Sequence, residues 1–177
     1  MSRPTTKPNL RRNLIVAADF GHFTIHSAAP DGIDLAAAAL LATDDAYDSR
    51  RYVGVCRRTV ISLVTPGEWS RKTPVSIEVW PGEPPSDDAG WDHEVDADLD
   101  VPAGRLCFLA GGHTDDGVGT PIPAGDYRVR VSARGLTHLG LAGVNGEDSY
   151  RLQLWPRGKP TPPLLRRRWP GWADLEI

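Results

Sequence analysis

Residues 91–101 read WDHEVDADLDV, a stretch in which acidic residues alternate with mostly apolar ones. Successive side chains of a β-strand point to opposite faces of a sheet. The odd positions from Trp91 to Val101 would therefore form a mostly apolar face, with His93 turned inward. The even positions are all carboxylates: Asp92, Glu94, Asp96, Asp98 and Asp100. The alternation predicts a half-buried strand with one strongly acidic face.

We call these five carboxylates the acidic stripe. Neighbours in such a row lie about 6.6 Å apart and repel one another, and Asp is a poor strand former. A surface of a single sign attracts a partner of the opposite sign and raises its rate of encounter. The sequence therefore predicts that the acidic stripe is the contact face for a basic protein partner.

Two other interpretations of the acidic stripe remain open. Arg128, Arg130 and Arg151 occupy the polar faces of other predicted strands, and pairing with them would make the stripe an internal ion-pair layer. A divalent metal could also bind there. However, the run that starts at Asp96 fails the EF-hand pattern, because Val101 stands at the glycine position and Cys107 at the final glutamate position.

Strand signals dominate the sequence around this stretch. Apolar or β-branched residues recur at strand spacing in segments 52–56, 59–64, 75–79, 127–132 and 150–155. Turn residues separate them, and the sequence Pro-Ala-Gly occurs at both 102–104 and 123–125, which predicts two copies of one turn. We predict a mainly β fold, an antiparallel β-sandwich or an open barrel. One helix is expected near residues 31–48, where alanines and leucines follow Asp31 and Asp34 as candidate N-caps.

The charge distribution suggests three segments. The net charge of the 177 residues is −3, but both ends are basic, and residues 85–150 carry twelve acids against four bases. We expect a basic flexible arm at 1–11, a β domain at 12–155 and a C-terminal extension rich in Pro, Arg and Trp at 156–177. Trp169 and Trp172 of the extension are expected to dock onto the domain.

Composition excludes several protein classes. No apolar run approaches the ~20 residues that span a bilayer, and Leu14–Ala18 is too short for the apolar part of a signal peptide. We therefore expect a cytoplasmic protein that does not contact membranes, with Cys56 and Cys107 reduced. The acidic body and the pI of about 5.9 argue against direct binding of nucleic acid.

Enzymatic motifs are sparse. Neither a P-loop, a nucleophile elbow nor an H-E-x-x-H pair is present. His22 and His26 share a face if their strand is uninterrupted, so a metal-dependent enzyme of β-barrel type, using these histidines and nearby carboxylates, is the rival hypothesis. A structural subunit that assembles through its basic ends and acidic middle is a third. We expect no cofactor and assign no catalytic or metal residue.

The segments 75–79, 91–101, 122–130 and 150–155 resemble the small bacterial proteins similar to competence protein J. In those proteins a V-P-x-G turn precedes a Tyr-rich strand, as at 122–127 here, and a late strand ends near a Trp, as at Trp155. The family's named member is an inhibitor of a DNA-entry nuclease. The resemblance implies a non-enzymatic inhibitory protein whose basic partner is a nuclease, and it assigns no contact residues. The basic C-terminal extension departs from the family pattern and leaves open a different partner or a role in self-association.

Overall fold

The computed structural model describes residues 7–87, 90–110, 113–114, 119–137 and 146–175. Within these ranges the strands are β1 (Leu10–Asp19), β2 (His22–His26), β3 (Val53–Cys56), β4 (Val60–Val64), β5 (Trp69–Val79), β6 (His93–Val101), β7 (Arg105–Ala110), β8 (His113–Thr114), β9 (Thr120–Pro121), β10 (Gly125–Arg134), β11 (Ser149–Pro156) and β12 (Leu164–Arg167). The helices are α1 (Leu35–Asp48) and α2 (Trp172–Leu175).

One curled, open sheet organises the chain, in the order β12-β6-β10-β11-β5-β1-β2-β4-β3, with β7 attached to β2. Its path is antiparallel except where β11 runs parallel to β5. The predicted mainly β class and the single long helix are confirmed. The open-barrel alternative fits better than two stacked sheets, because the strands continue as one half-barrel.

The inner face of the half-barrel is the hydrophobic core. The odd positions of β6, from Val95 to Val101, are 1% exposed or less. They meet Val129 and Val131 of β10, and the core continues through the apolar residues of β11 and β5. The predicted inward face of the 91–101 segment is therefore confirmed, and removal of this apolar surface from water stabilises the fold.

Helix α1 packs on the outer face of β3 and β4. Asp34 caps its N-terminus by accepting a hydrogen bond from the backbone N–H of Ala37 at 2.8 Å. A Cβ atom on Gly54 would lie 1.8 Å from the carbonyl oxygen of Ala42, so glycine in β3 permits the close approach of the helix. The helix begins at Leu35, four residues after the start of the predicted segment, because Asp34 and not Asp31 is the N-cap.

Two local predictions need correction. The Pro-Ala-Gly segments are not copies of one turn: Gly104 has a φ of +64°, whereas Gly125 begins strand β10 without a positive φ. The prolines of the C-terminal extension predict an irregular segment, but the extension contains β12 and α2. Strand β1 begins inside the predicted arm, residues 1–6 of which lie outside the described ranges.

None of the helices in the described ranges is both long and apolar enough to span a bilayer.

Candidate functional site

The acidic stripe lies beside arginines on the outer face of the sheet. Strand register places Asp96 opposite Arg130 and Asp98 opposite Arg128. The Arg130 Nε–Asp96 Oδ1 distance is 3.0 Å and the Arg128 Nη1–Asp98 Oδ1 distance is 2.8 Å. All four side chains are buried, so these ion pairs are shielded from water and salt.

The pairing continues across the sheet as a row of alternating polar groups. From Asp96 and Arg130 the row passes through Gln153, Glu78 and Arg11 in strand register. Glu78 accepts hydrogen bonds from Gln153 Nε2 at 2.9 Å and from Arg11 Nη2 at 2.6 Å. Opposite charges on neighbouring strands stabilise such a row, where a single-sign face would repel itself.

The C-terminal extension contacts the stripe from the edge of β6 that lies opposite β10. Strand β12 pairs with β6, and Arg166 Nη1 lies 3.0 Å from Asp96 Oδ2. Arg157 Nη2 lies 2.8 Å from Asp100 Oδ1. The backbone N–H of Thr161 donates to Asp98 Oδ2 at 2.8 Å. A basic segment of the same chain therefore pairs with the acidic strand and neutralises part of its charge.

The prediction of an exposed acidic face is wrong for the centre of the stripe. Glu94, Asp96 and Asp98 are 7%, 3% and 3% exposed, and Glu94 Oε1 accepts a hydrogen bond from Ser132 at 2.9 Å. Asp92 and Asp100, at the ends, are partly exposed. Internal charge pairing, the alternative left open above, describes this conformation. The physical reason is that two layers of arginine, from β10 and from the extension, neutralise carboxylates that would otherwise repel. Contact with a partner stays a prediction.

The histidines of the rival hypothesis lie on β2. His22 is partly exposed, with Nδ1 3.2 Å from the Phe20 carbonyl oxygen, while His26 is buried and its pKa is lowered by that burial. Within the described ranges, no group of three or more His, Cys, Asp or Glu side chains is placed to hold a metal ion. His138 lies outside those ranges.

His93 confirms the prediction of an inward, hydrogen-bonded histidine. Its Nε2 donates to the Arg51 carbonyl at 2.6 Å. Its Nδ1 accepts from the Trp169 backbone N–H at 3.2 Å and from Trp172 Nε1 at 3.3 Å. Burial, with a smaller contribution from the charge of Arg168, lowers the pKa of His93 from 6.5 to about 4. The imidazole is therefore neutral at pH 7 and fastens the end of the extension.

An aromatic cluster completes this attachment. Trp172 is 2% exposed and stacks on Tyr52, with ring centroids 4.3 Å apart. Trp169 meets Trp172 edge-on at 5.1 Å. The docking of both tryptophans was predicted from the sequence, and it is confirmed. Their site was not predicted, because Tyr52 and His93 come from segments far apart in the chain.

Comparison with known proteins supports the fold. No family model matches the chain, and no curated protein is significantly similar to it. ComJ from Bacillus subtilis, an inhibitor of the DNA-degrading activity of NucA, matches with a TM-score of 0.53 at 14% identity, over 85% of this chain and 98% of ComJ. The product of crocagin biosynthetic gene J matches with a TM-score of 0.52 at 15% identity, over 84% of this chain and 98% of its own. At such identities the likeness shows a shared fold, and the expected resemblance to competence protein J is confirmed at that level.

Proposed function

We propose that this chain is a non-enzymatic inhibitory protein whose partner is a basic protein, a nuclease. The fold it shares with ComJ, an inhibitor of the DNA-degrading activity of NucA, supports the partner class. The observation that carries the proposal is the contact between β6 and β12, in which an acidic strand holds arginines of an extended basic segment. A basic partner segment would meet the same chemistry.

The charge balance of the stripe favours a cationic ligand. In the described ranges, the body of the protein supplies three arginines that pair with stripe carboxylates, namely Arg58, Arg128 and Arg130. The extension supplies Arg157 and Arg166. If the extension left, five carboxylates would face three cations. The exposed face would then attract a basic protein and would resemble the row of phosphates that a nuclease binds.

Strand β12 of the extension is a candidate for displacement because it lies at one edge of the sheet. Strand β12 has four residues at the edge of the sheet, and Leu164 and Leu165 are 53% and 36% exposed. Short edge strands open at low free energy. A partner strand could replace β12 by adding to the edge of β6, with main-chain hydrogen bonds for affinity and arginines for specificity.

The test separates displacement from simple loss of folding. Proteins from the organism that encodes the chain are captured on it, eluted with salt and assayed for DNA degradation with and without added chain. The reversal Arg166→Glu, which places a carboxylate beside Asp96, should loosen β12 and tighten partner binding about tenfold. Lys159→Glu makes the same charge change on the same segment without an ion pair to the stripe in the structure, and it should leave affinity unchanged.

A basic nuclease whose activity the chain abolishes, bound more tightly by Arg166→Glu, supports the proposal. Capture of acidic proteins only, undiminished DNA degradation, or weaker binding by Arg166→Glu contradicts it.

A further inference from the structure

A cavity of about 550 Å³ lies apart from the acidic stripe, between the β1–β2 turn, the β4–β5 turn and the C-terminal end of α1. Four aromatic residues contribute to its lining: Phe20, Tyr47, Tyr52 and Trp172. Glu68 and Arg50 are exposed charged residues of its lining. Its volume lies in the range of pockets that bind a small ligand or a large side chain.

The backbone around this cavity is strained. In the described ranges five residues other than glycine have a positive φ, and three of them line the cavity: Phe20 at 52°, Arg50 at 54° and Tyr52 at 56°. Large side chains rarely adopt this conformation, because it is energetically unfavourable for a residue that carries a Cβ atom. Such residues concentrate at binding sites, where the strain is retained because it positions a side chain.

Phe20 carries a second cost. It precedes Gly21 in the two-residue turn between β1 and β2, a position where Asn or Asp would fit the positive φ far better. Its ring is nevertheless 75% exposed, so it does not stabilise the core. An aromatic residue that is strained and exposed at the mouth of a cavity has the character of a binding anchor.

The chemistry of the walls favours a guanidinium group. Aromatic faces attract cations, and Phe20 and Tyr47, which are 75% and 49% exposed, are the accessible aromatic residues of the lining. Tyr52 already stacks on Trp172 and has the guanidinium carbon of Arg168 5.5 Å from its ring centroid. Glu68 adds a carboxylate, and the C-terminal end of α1, which reaches the cavity at Tyr47, is the negative end of the helix dipole. Arg50 opposes a cation from its exposed position.

We infer that this aromatic cavity binds an arginine side chain of the basic partner. The inference rests on the proposed function for the identity of the partner, and it gives that partner a second point of attachment. The acidic stripe would receive an extended basic segment, and the cavity a single guanidinium group held between Phe20 and Tyr47.

The binding test uses a small probe and needs no partner. N-acetyl-arginine methylamide is titrated into the full chain while the indole resonance of Trp172 is followed by NMR. The uncharged citrulline analogue, which has nearly the same shape, is the matched control. We expect the arginine probe to shift the Trp172 resonance and to bind at least threefold more tightly than the citrulline analogue.

Substitution of the two charged lining residues should change the affinity for the arginine probe in opposite directions. Glu68→Gln should weaken binding of the arginine probe about threefold, and Arg50→Gln should tighten it by a similar factor. Equal binding of both probes, the absence of any shift at Trp172, or weaker binding by Arg50→Gln would overturn the inference. Tighter binding of adenosine monophosphate than of the arginine probe would also overturn it, in favour of an anionic ligand.

A second measurement addresses the partner itself. Phe20→Ala should weaken capture of the basic partner about tenfold, whereas Ile15→Ala, which removes another exposed apolar side chain (61% exposed), should not. If the arginine probe binds and no basic partner is found, the proposed function fails and the site stands. If a partner binds through the stripe and Phe20→Ala has no effect, the site fails and the proposed function stands.

Discussion

Protonation of His93 should release the C-terminal extension. The neutral ring donates once, to Arg51, and accepts twice at Nδ1, from Trp169 and Trp172. A proton on Nδ1 would convert this acceptor into a donor that faces two other N–H donors. It would also place a positive charge on a residue that is 2% exposed. Acid should therefore break both bonds that hold the end of the extension.

The magnitude follows from the pKa of His93, which folding lowers from 6.5 to about 4. The folded state disfavours the charged ring. The contribution of His93 to the unfolding free energy is therefore complete above pH 6.5 and is lost as the pH falls towards 4. The difference between the two values corresponds to about 3 kcal/mol of unfolding free energy. That is a substantial part of the stability of an ordinary domain.

The assay compares the protein with His93→Asn between pH 7.5 and pH 4. The amide oxygen of Asn can stand near Nδ1 as an acceptor, and it does not titrate. Urea unfolding of each protein gives the free energy at each pH, and subtracting the two curves removes the contribution of the carboxylates that both share. We expect the difference to change by about 3 kcal/mol between pH 7 and pH 4.

A direct titration would refute the reasoning most simply. If the ring protons of His93 titrate by NMR near pH 6.5, burial does not lower its pKa, and the proposed acid release has no basis. Parallel pH dependence of His93→Asn and the unaltered protein would lead to the same conclusion.

Three further predictions concern packing and charge. Gly54→Ala should lower the melting temperature by several degrees or prevent folding, because its Cβ would overlap Ala42 of α1. Arg130→Met should reduce the unfolding free energy by about 3–5 kcal/mol by leaving Asp96 buried with fewer partners; adding Asp96→Leu should restore most of it, and no recovery in urea unfolding would contradict this. Trp172→Ala should cost about 3–5 kcal/mol by the same assay, and a loss below 1 kcal/mol would mean that the extension is not fastened there.

Local patterns predicted the elements of this fold well. The alternation at 91–101 identified both the strand and its inward face, because a half-buried strand imposes a period of two on its sequence. The helix was found from its alanines. The parallel contact between β5 and β11 was not predicted, since strand patterns carry no information about which strands become neighbours.

The candidate site was predicted only in part for the same reason. The row of carboxylates is visible in the sequence, but its cover comes from Arg157 and Arg166, about 60 to 70 residues further along the chain. A strand can alternate strictly and still be buried on both faces when its polar side chains are paired. The one sequence feature that points to the aromatic cavity is the unusual turn at Phe20 and Gly21.

The parallel contact between β5 and β11 has a consequence for synthesis of the protein. Val75 pairs with Tyr150, so a further 75 residues must be synthesised after Val75 before this edge of β5 can be covered. Until then the nascent chain presents an open strand edge, which is a template for pairing with another chain. We expect folding on the ribosome to be late and concerted, and chains interrupted before residue 150 to be prone to aggregate.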